Sequence, residues 1–235
     1  MKENKRYTLG ISTMNGGSEK FLRLMKSIDT HLDKSRFNLL VTCSDYCHSK
    51  NLNILIDASR TPYLIFVDDD VQYTEKHVDL FDKLDAFWDE HFMDAATISF
   101  GFTGKDEYLL ADESSSHPYF NFCHTVYSKR CRVSFNESFE YTQANDIYFY
   151  RLLRYLGWNN YGAEFMTLNH FHTPKGDNKE LNARILKNQD LLVKIFGCPT
   201  DGLPEEHSGW EPLEKYLVEK CGKMPFMNRK EIINE

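Results

Sequence analysis

Two rhythms of apolar and polar positions alternate along the first hundred residues. Tyr7-Thr8-Leu9-Gly10-Ile11-Ser12 reads as a strand. Residues 13–17 break the pattern, and Ser18 stands where a helix N-cap belongs. Phe21, Leu22, Met25, Ile28 and Leu32 then recur at helical spacing, which predicts a helix with these residues on its apolar side. Residues 37–43 predict a second buried strand, and 50–58 a second helix stopped by Pro62. Residues 63–67 form a fully apolar strand. A third amphipathic helix follows, with Val78, Phe81, Leu84 and Trp88 on one side, and 95–100 predict another strand.

Strands alternating with helices at this spacing imply right-handed crossovers and a parallel sheet. The pattern changes after about residue 105. Residues 120–133 are aromatic and strand-like, and 144–156 predict a helix that stops at Gly157. Residues 165–171 read as a strand and 178–196 as a helix, with Leu181, Ile185, Leu192 and Ile195 apolar. The tail carries one short helix near 211–221. No repeat or linker divides the chain. The expected organisation is one domain with a first half at 1–104, a second half at 105–200 and a tail at 201–235.

Composition narrows the function classes. The chain has 235 residues, 41% of them hydrophobic and 14% aromatic, which excludes a disordered chain. A net charge of −7 argues against binding nucleic acid through bulk electrostatics, without excluding a local basic groove. Purely apolar runs reach about five residues, far short of the ~20 that a membrane span needs. No apolar signal region follows Met1-Lys2-Glu3-Asn4-Lys5-Arg6, so the expected location is the cytoplasm, a bacterial or phage-infected host being one setting. The six cysteines form no Cys-x-x-Cys pair, and free thiols are the expectation. Cys43, Cys47 and His48 have no second pair at metal spacing, which argues against a zinc site.

The candidate chemistry centres on Asp68-Asp69-Asp70, directly after the apolar strand. Three adjacent carboxylates at the end of a buried strand repel one another unless a cation sits beside them. Oxygen ligands suit Mg²⁺ or Mn²⁺, which complete their shells with phosphate oxygens. Ligands of parallel sheets also bind beyond the carboxyl ends of the strands. His170 and His172 alternate on the second-half strand, so both side chains could reach one metal.

Strand–helix–strand followed by Leu-Ile-Phe-Val-Asp-Asp-Asp resembles the family 2 glycosyltransferases of the GT-A fold. The resemblance covers roughly residues 7–172. It implies a mainly parallel central sheet flanked by helices, with a smaller acceptor-side lobe from the second half. It also implies a metal-dependent transfer, inverting in outcome, from a nucleotide sugar carrying UDP to an acceptor hydroxyl. By resemblance Asp68 faces the ribose, Asp70 holds the metal with His170 and His172, and Asp69 lies between them at the donor. Ser12, Thr13 and Asn15 border the nucleotide, Asp45 contacts the base, and Lys50-Asn51 stands where the family carries Arg-Asn.

Inverting members carry an acidic pair at a helix start, closed eleven residues later by Gly. Asn145-Asp146 through Gly157 has this spacing, with Asn145 in place of the first acid and an Arg one place early at Arg151. Asp146 is then the general base.

Lys129, Arg130, Arg132, Arg151 and Arg154 form the notable basic group, a candidate contact for a diphosphate or an anionic acceptor, though such residues more often make a solvated face with local salt bridges. The acceptor classes left open are a glycan, a small molecule and a hydroxymethylated base in phage DNA. Two other readings remain. One is nucleotidyl transfer to a sugar phosphate, with Met14-Asn15-Gly16-Gly17-Ser18-Glu19-Lys20 as a faint phosphate loop. The other is an inactive nucleotide-sugar-binding module.

Overall fold

A computed structural model describes residues 5–44, 47–100, 108–110, 121–139, 144–171, 179–198, 204 and 209–234. The strands are β1 (Tyr7–Thr13), β2 (Phe37–Cys43), β3 (Tyr63–Asp68), β4 (Val71–Gln72), β5 (Ala95–Phe100), β6 (Leu109–Leu110), β7 (Asn121–Ser128), β8 (Asn159–Ala163) and β9 (Asn169–His170). The helices are α1 (Glu19–His31), α2 (His48–Ala58), α3 (Leu80–His91), α4 (Asn145–Tyr155), α5 (Lys179–Phe196), α6 (Glu211–Cys221) and α7 (Arg229–Ile233). Among the described residues, no helix is long and apolar enough to cross a membrane.

Seven strands form one sheet in the order β2-β1-β3-β7-β5-β8-β6, while β4 pairs only with β9. β1 runs parallel to β2 and β3, and β5 parallel to β8. β7 lies antiparallel between β3 and β5, and β6 lies antiparallel at the edge. Five of the seven strands therefore point their carboxyl ends at the same rim, as the alternating first half requires.

Alternation along β3 splits the core into two. Tyr63, Ile65 and Val67 pack with α1 and α3, while Leu64 and Phe66 pack with α2, α4, α5 and α6. Helices thus cover both faces. Trp88 of α3 stacks on Tyr63 at 4.3 Å between ring centroids, and Phe149 of α4 stacks on Phe135 at 4.2 Å.

Ser18 caps α1 as expected, its Oγ accepting the Phe21 N–H at 3.2 Å. Gly157 ends α4 with φ of +83°, a left-handed backbone that a side chain would strain.

Several expectations need correction. β2 is an edge strand, with Leu39 39% and Val41 41% exposed; among the described residues, no strand lies beyond it. Leu22 is exposed at 56%, and Leu24 takes its inward place on α1. Val78 is exposed at 66% because it follows a 3₁₀ turn at Glu75–His77 and precedes α3. The strand expected over 120–133 ends at Ser128 and passes into a 3₁₀ turn at Lys129–Cys131. The strand expected over 165–171 shrinks to the two-residue β9 after a 3₁₀ turn at Glu164–Met166, and the longer strand, β8, lies just before it.

Candidate active site at the carboxyl rim of the sheet

The rim gathers the ends of elements far apart in sequence. β1 ends at Thr13 and β3 at Asp68, and their register pairs Ser12 with Asp68. β7 runs the other way, so its early residues reach the same rim, with His124 opposite Val67 and Cys123 buried next to it. The burial that holds the Cys123 thiol up at about 12 is reinforced by the charges of Asp68 and Asp70.

The three aspartates do different work. Asp69 Oδ2 accepts the Thr13 hydroxyl at 2.6 Å, and Thr13 Oγ1 accepts the Asn15 N–H at 3.1 Å. Asp70 Oδ1 lies 3.0 Å from His170 Nε2, and Lys20 Nζ approaches Asp70 Oδ2 at 3.6 Å. The Asp70 carbonyl accepts the Phe171 N–H at 2.8 Å, and β4 pairs with β9 through Val71 and His170. The chain therefore returns after 100 residues to set an imidazole against the last carboxylate. Asp68, Asp70 and His170 each offer one ligand atom, all within 4.8 Å of one another. No other such group of three is found among the described residues.

Burial pushes the Asp68 carboxyl up to about 7, and the charges of Asp70, Asp69 and Asp146 push the same way. Asp146, at the start of α4, is lifted to about 6 by burial against the pull of nearby N–H groups. One of these belongs to Ile147, which donates to Asp146 Oδ1 at 2.9 Å. The Asp146 charge is among those that raise Asp68, the smallest of the contributions. Ala144, just before it, holds a left-handed backbone with φ of +71°, which costs a non-glycine residue roughly 1–2 kcal/mol. Asn145 is 2% exposed, accepts the Asp146 N–H at 2.9 Å and sends its amide to Ser49 Oγ at 3.4 Å. A second carboxylate buried there would add to the repulsion at Asp146 and Asp68, so the amide suits the position.

The donor set fits a hard divalent cation. Two carboxylate oxygens and one imidazole nitrogen converge, and a cation would offset both the burial and the repulsion that lift Asp68.

The remaining expected residues divide. Asn51 is buried and its Oδ1 accepts the Ser44 hydroxyl at 2.6 Å, while the Ser44 N–H donates to Thr13 O at 3.3 Å. Asn51 and the neighbouring Lys50 thus stand at the start of α2, beside the ends of β1 and β2. The Asn15 side chain turns into its own loop, its Oδ1 accepting the Gly17 N–H at 2.9 Å. Asp45 and His172 lie outside the described residues. Among the described residues, Cys43, Cys47 and His48 join no metal-ligand group, and no disulfide is formed.

Most of the basic group sits apart from the aspartates. β7 ends at Ser128 opposite Tyr63, the first residue of β3, so Lys129, Arg130 and Arg132 lie at the far end of the sheet from the aspartates. Lys129 donates to Ser59 O at 2.6 Å, and Arg130 lies over Phe92 at 4.4 Å. Arg151 is 1% exposed, with its guanidinium over Phe196 at 5.0 Å. Three of the five cations are therefore held away from any diphosphate at Asp70, and Arg151 is buried in the core. Lys20 is the cation that sequence reasoning did not assign to the acidic centre. Its place in the first turn of α1, after the Gly16-Gly17 loop, was the available signal.

Solved structures share this fold. S. aureus TarS (residues 1–349) matches with a TM-score of 0.53 at 13% identity, over 92% of this chain and 72% of that one. The mannosyltransferase PcManGT of Pyrobaculum calidifontis, solved with GDP-Man and Mn²⁺, matches at 0.56 and 11% identity, over 83% and 64%. GalNAc-T7, solved with UDP, GalNAc and Mn²⁺, matches at 0.55 and 8% identity, over 99% and 57%. The chain has the GT-A glycosyltransferase fold. No family model matches the sequence, and no curated protein does. In this GT-A fold the acidic triplet ends the strand beside β1, and His170 closes on it from β9.

Proposed function

We propose that the chain is a metal-dependent, inverting glycosyltransferase that moves a sugar from a nucleotide sugar, with UDP as the nucleotide, to an acceptor hydroxyl. The observation that carries this reading is the convergence of Asp68, Asp70 and His170 at the carboxyl rim, with Asp146 electrostatically coupled to the same centre. Asp70 and His170 would hold Mn²⁺ or Mg²⁺, and His172 is a further candidate ligand. Such an ion offsets negative charge on a departing diphosphate. Asp68 and Asp69 face the donor, with Ser12, Thr13, Asn15, Asp45, Lys50 and Asn51 around the nucleotide.

Asp146 takes the acceptor proton. A carboxylate raised to about 6 stays ionised at neutral pH and is a stronger base than an ordinary aspartate. As the acceptor oxygen attacks the anomeric carbon, its proton passes to the Asp146 carboxylate. The bond between that carbon and the diphosphate oxygen breaks on the opposite face.

The acceptor is a glycan, a small molecule or a hydroxymethylated base. The test is product analysis after incubation with a panel of UDP-sugars, acceptors and Mn²⁺. Release of UDP that stops in an Asp146→Asn variant supports the reading. Release of pyrophosphate overturns it in favour of nucleotidyl transfer.

A further inference from the structure

We propose that His77 and His124 are positioning residues that set His170 against Asp70, by clamping two successive carbonyls just ahead of β9. The proposal rests on the reading of Asp70 and His170, beside Asp68, as ligands of a divalent cation.

His124 sits on β7 with no solvent exposure. Its Nδ1 lies 2.8 Å from Met166 O, and its Nε2 lies 3.1 Å from the Tyr73 hydroxyl. A carbonyl can only accept, so Nδ1 carries the proton, and on a neutral ring Nε2 accepts from Tyr73. His77 does the same with its nitrogens exchanged. Its Nε2 donates to Thr167 O at 2.8 Å, and its Nδ1 accepts the Thr74 N–H at 3.1 Å. Burial favours the neutral form of both rings.

Tyr73 joins the two. Its ring meets His77 and His124 edge to face, at 5.4 Å between centroids in each case. Its own N–H donates to Ser27 Oγ at 3.1 Å, and Ser27 donates to Leu24 O at 2.7 Å. The clamp is thereby anchored in α1. Residues 166–171 are tied to this frame at Met166 O, at Thr167 O, along the β4–β9 pairing and at the Phe171 N–H. The strand pairing itself contributes little here, because β9 is only two residues long; Met166 and Leu168 add core packing, and Arg23 lies over Phe171 at 4.1 Å. Without the two imidazoles, the lead-in to His170 loses two of its fixed points. Loss of a hydrogen bond made directly to a ligand typically costs ~10–100-fold in metal affinity, and loosening the backbone that carries His170 acts in the same direction.

The experiment uses the full chain in the absence of nucleotide. Mn²⁺ affinity is titrated, and hydrogen exchange is followed at 166–171 and, as a control, at 63–67. His124→Phe keeps a ring and removes both hydrogen bonds, whereas His124→Asn keeps a donor near the Nδ1 position. The proposal expects His124→Phe to weaken Mn²⁺ binding about 10-fold or more and to speed exchange at 166–171 while 63–67 stays protected. His124→Asn should recover most of both. If His124→Phe fails to fold, His77→Leu against His77→Gln asks the same question at Thr167 O. A folded variant that lacks the donor yet keeps wild-type Mn²⁺ affinity and exchange overturns the positioning role alone. A wild-type chain with no Mn²⁺ binding sensitive to Asp70→Asn overturns the cation site and this inference together.

Discussion

Thr13 donates its hydroxyl to Asp69 Oδ2 at 2.6 Å, so the middle carboxylate of the triplet is already engaged by the end of β1. Asp68 and Asp70 are the two that converge with His170. Asp69→Asn should therefore leave Mn²⁺ affinity within about threefold of wild type. Asp70→Asn should lower it by about 10-fold or more, because a direct ligand is lost. Titration of Mn²⁺ into the two variants checks this ordering.

Asp146 should behave as a base and not as a binding group. Asp146→Asn is expected to lower kcat by about 10²–10⁴, the usual contribution of a positioned general base. The donor dissociation constant should stay close to wild type. In the wild-type enzyme, kcat/KM should fall on the acid side with an inflection near 6, as the raised carboxyl takes up its proton. Rate measurements from pH 5 to 9 check both statements.

Metal-free stability should fall as pH rises through the same region. Asp68 and Asp146 have folded pKa values of about 7 and about 6, above the ordinary carboxylate value of 3.8. Between pH 4 and 7 the folded chain thus binds more protons than the unfolded one, and deprotonation disfavours the fold. The loss begins above about pH 4 and levels off above pH 7. Its size should be on the order of 3 kcal/mol between pH 5 and 8, since a proton held by the folded chain alone is worth about 1.4 kcal/mol per pH unit and the two groups are coupled. Mn²⁺ should restore stability at pH 8 by binding the folded state alone. Urea unfolding at pH 5 and pH 8, with and without Mn²⁺, gives the comparison.

Arg130 and Arg132 lie at the end of the sheet opposite the aspartates. Arg130→Ala and Arg132→Ala should leave donor affinity and kcat within about twofold. A fall of tenfold in either would mean that the diphosphate reaches that end of the sheet.

Much of the first half was legible in the sequence because its signals are local. The apolar run before Asp68, the Ser18 cap and the periodicity of α1 are each contained in one segment. Edge position is not local, which is why β2 looks like a buried strand until the sheet order is known. The same holds for the basic group. Lys129 and Arg130 follow a strand that runs against its neighbours, and nothing in residues 121–132 records that direction. β8 escaped notice because Asn159-Asn160-Tyr161-Gly162-Ala163 lacks the β-branched residues that mark strands. His77 and His124 also carry no motif. Their importance comes from two carbonyls some 40–90 residues away in the chain.

The central claim is that a nucleotide sugar and a divalent cation bind together at Asp70. The most direct test is thermal unfolding of the wild-type chain and Asp70→Asn with UDP-sugars, in Mn²⁺ and in chelator. The account predicts that at least one UDP-sugar raises the wild-type Tm only when Mn²⁺ is present. A ligand at 100 times its dissociation constant adds about 2.7 kcal/mol, and Asp70→Asn should abolish the shift. A shift of equal size in chelator, or one that survives in Asp70→Asn, would contradict it.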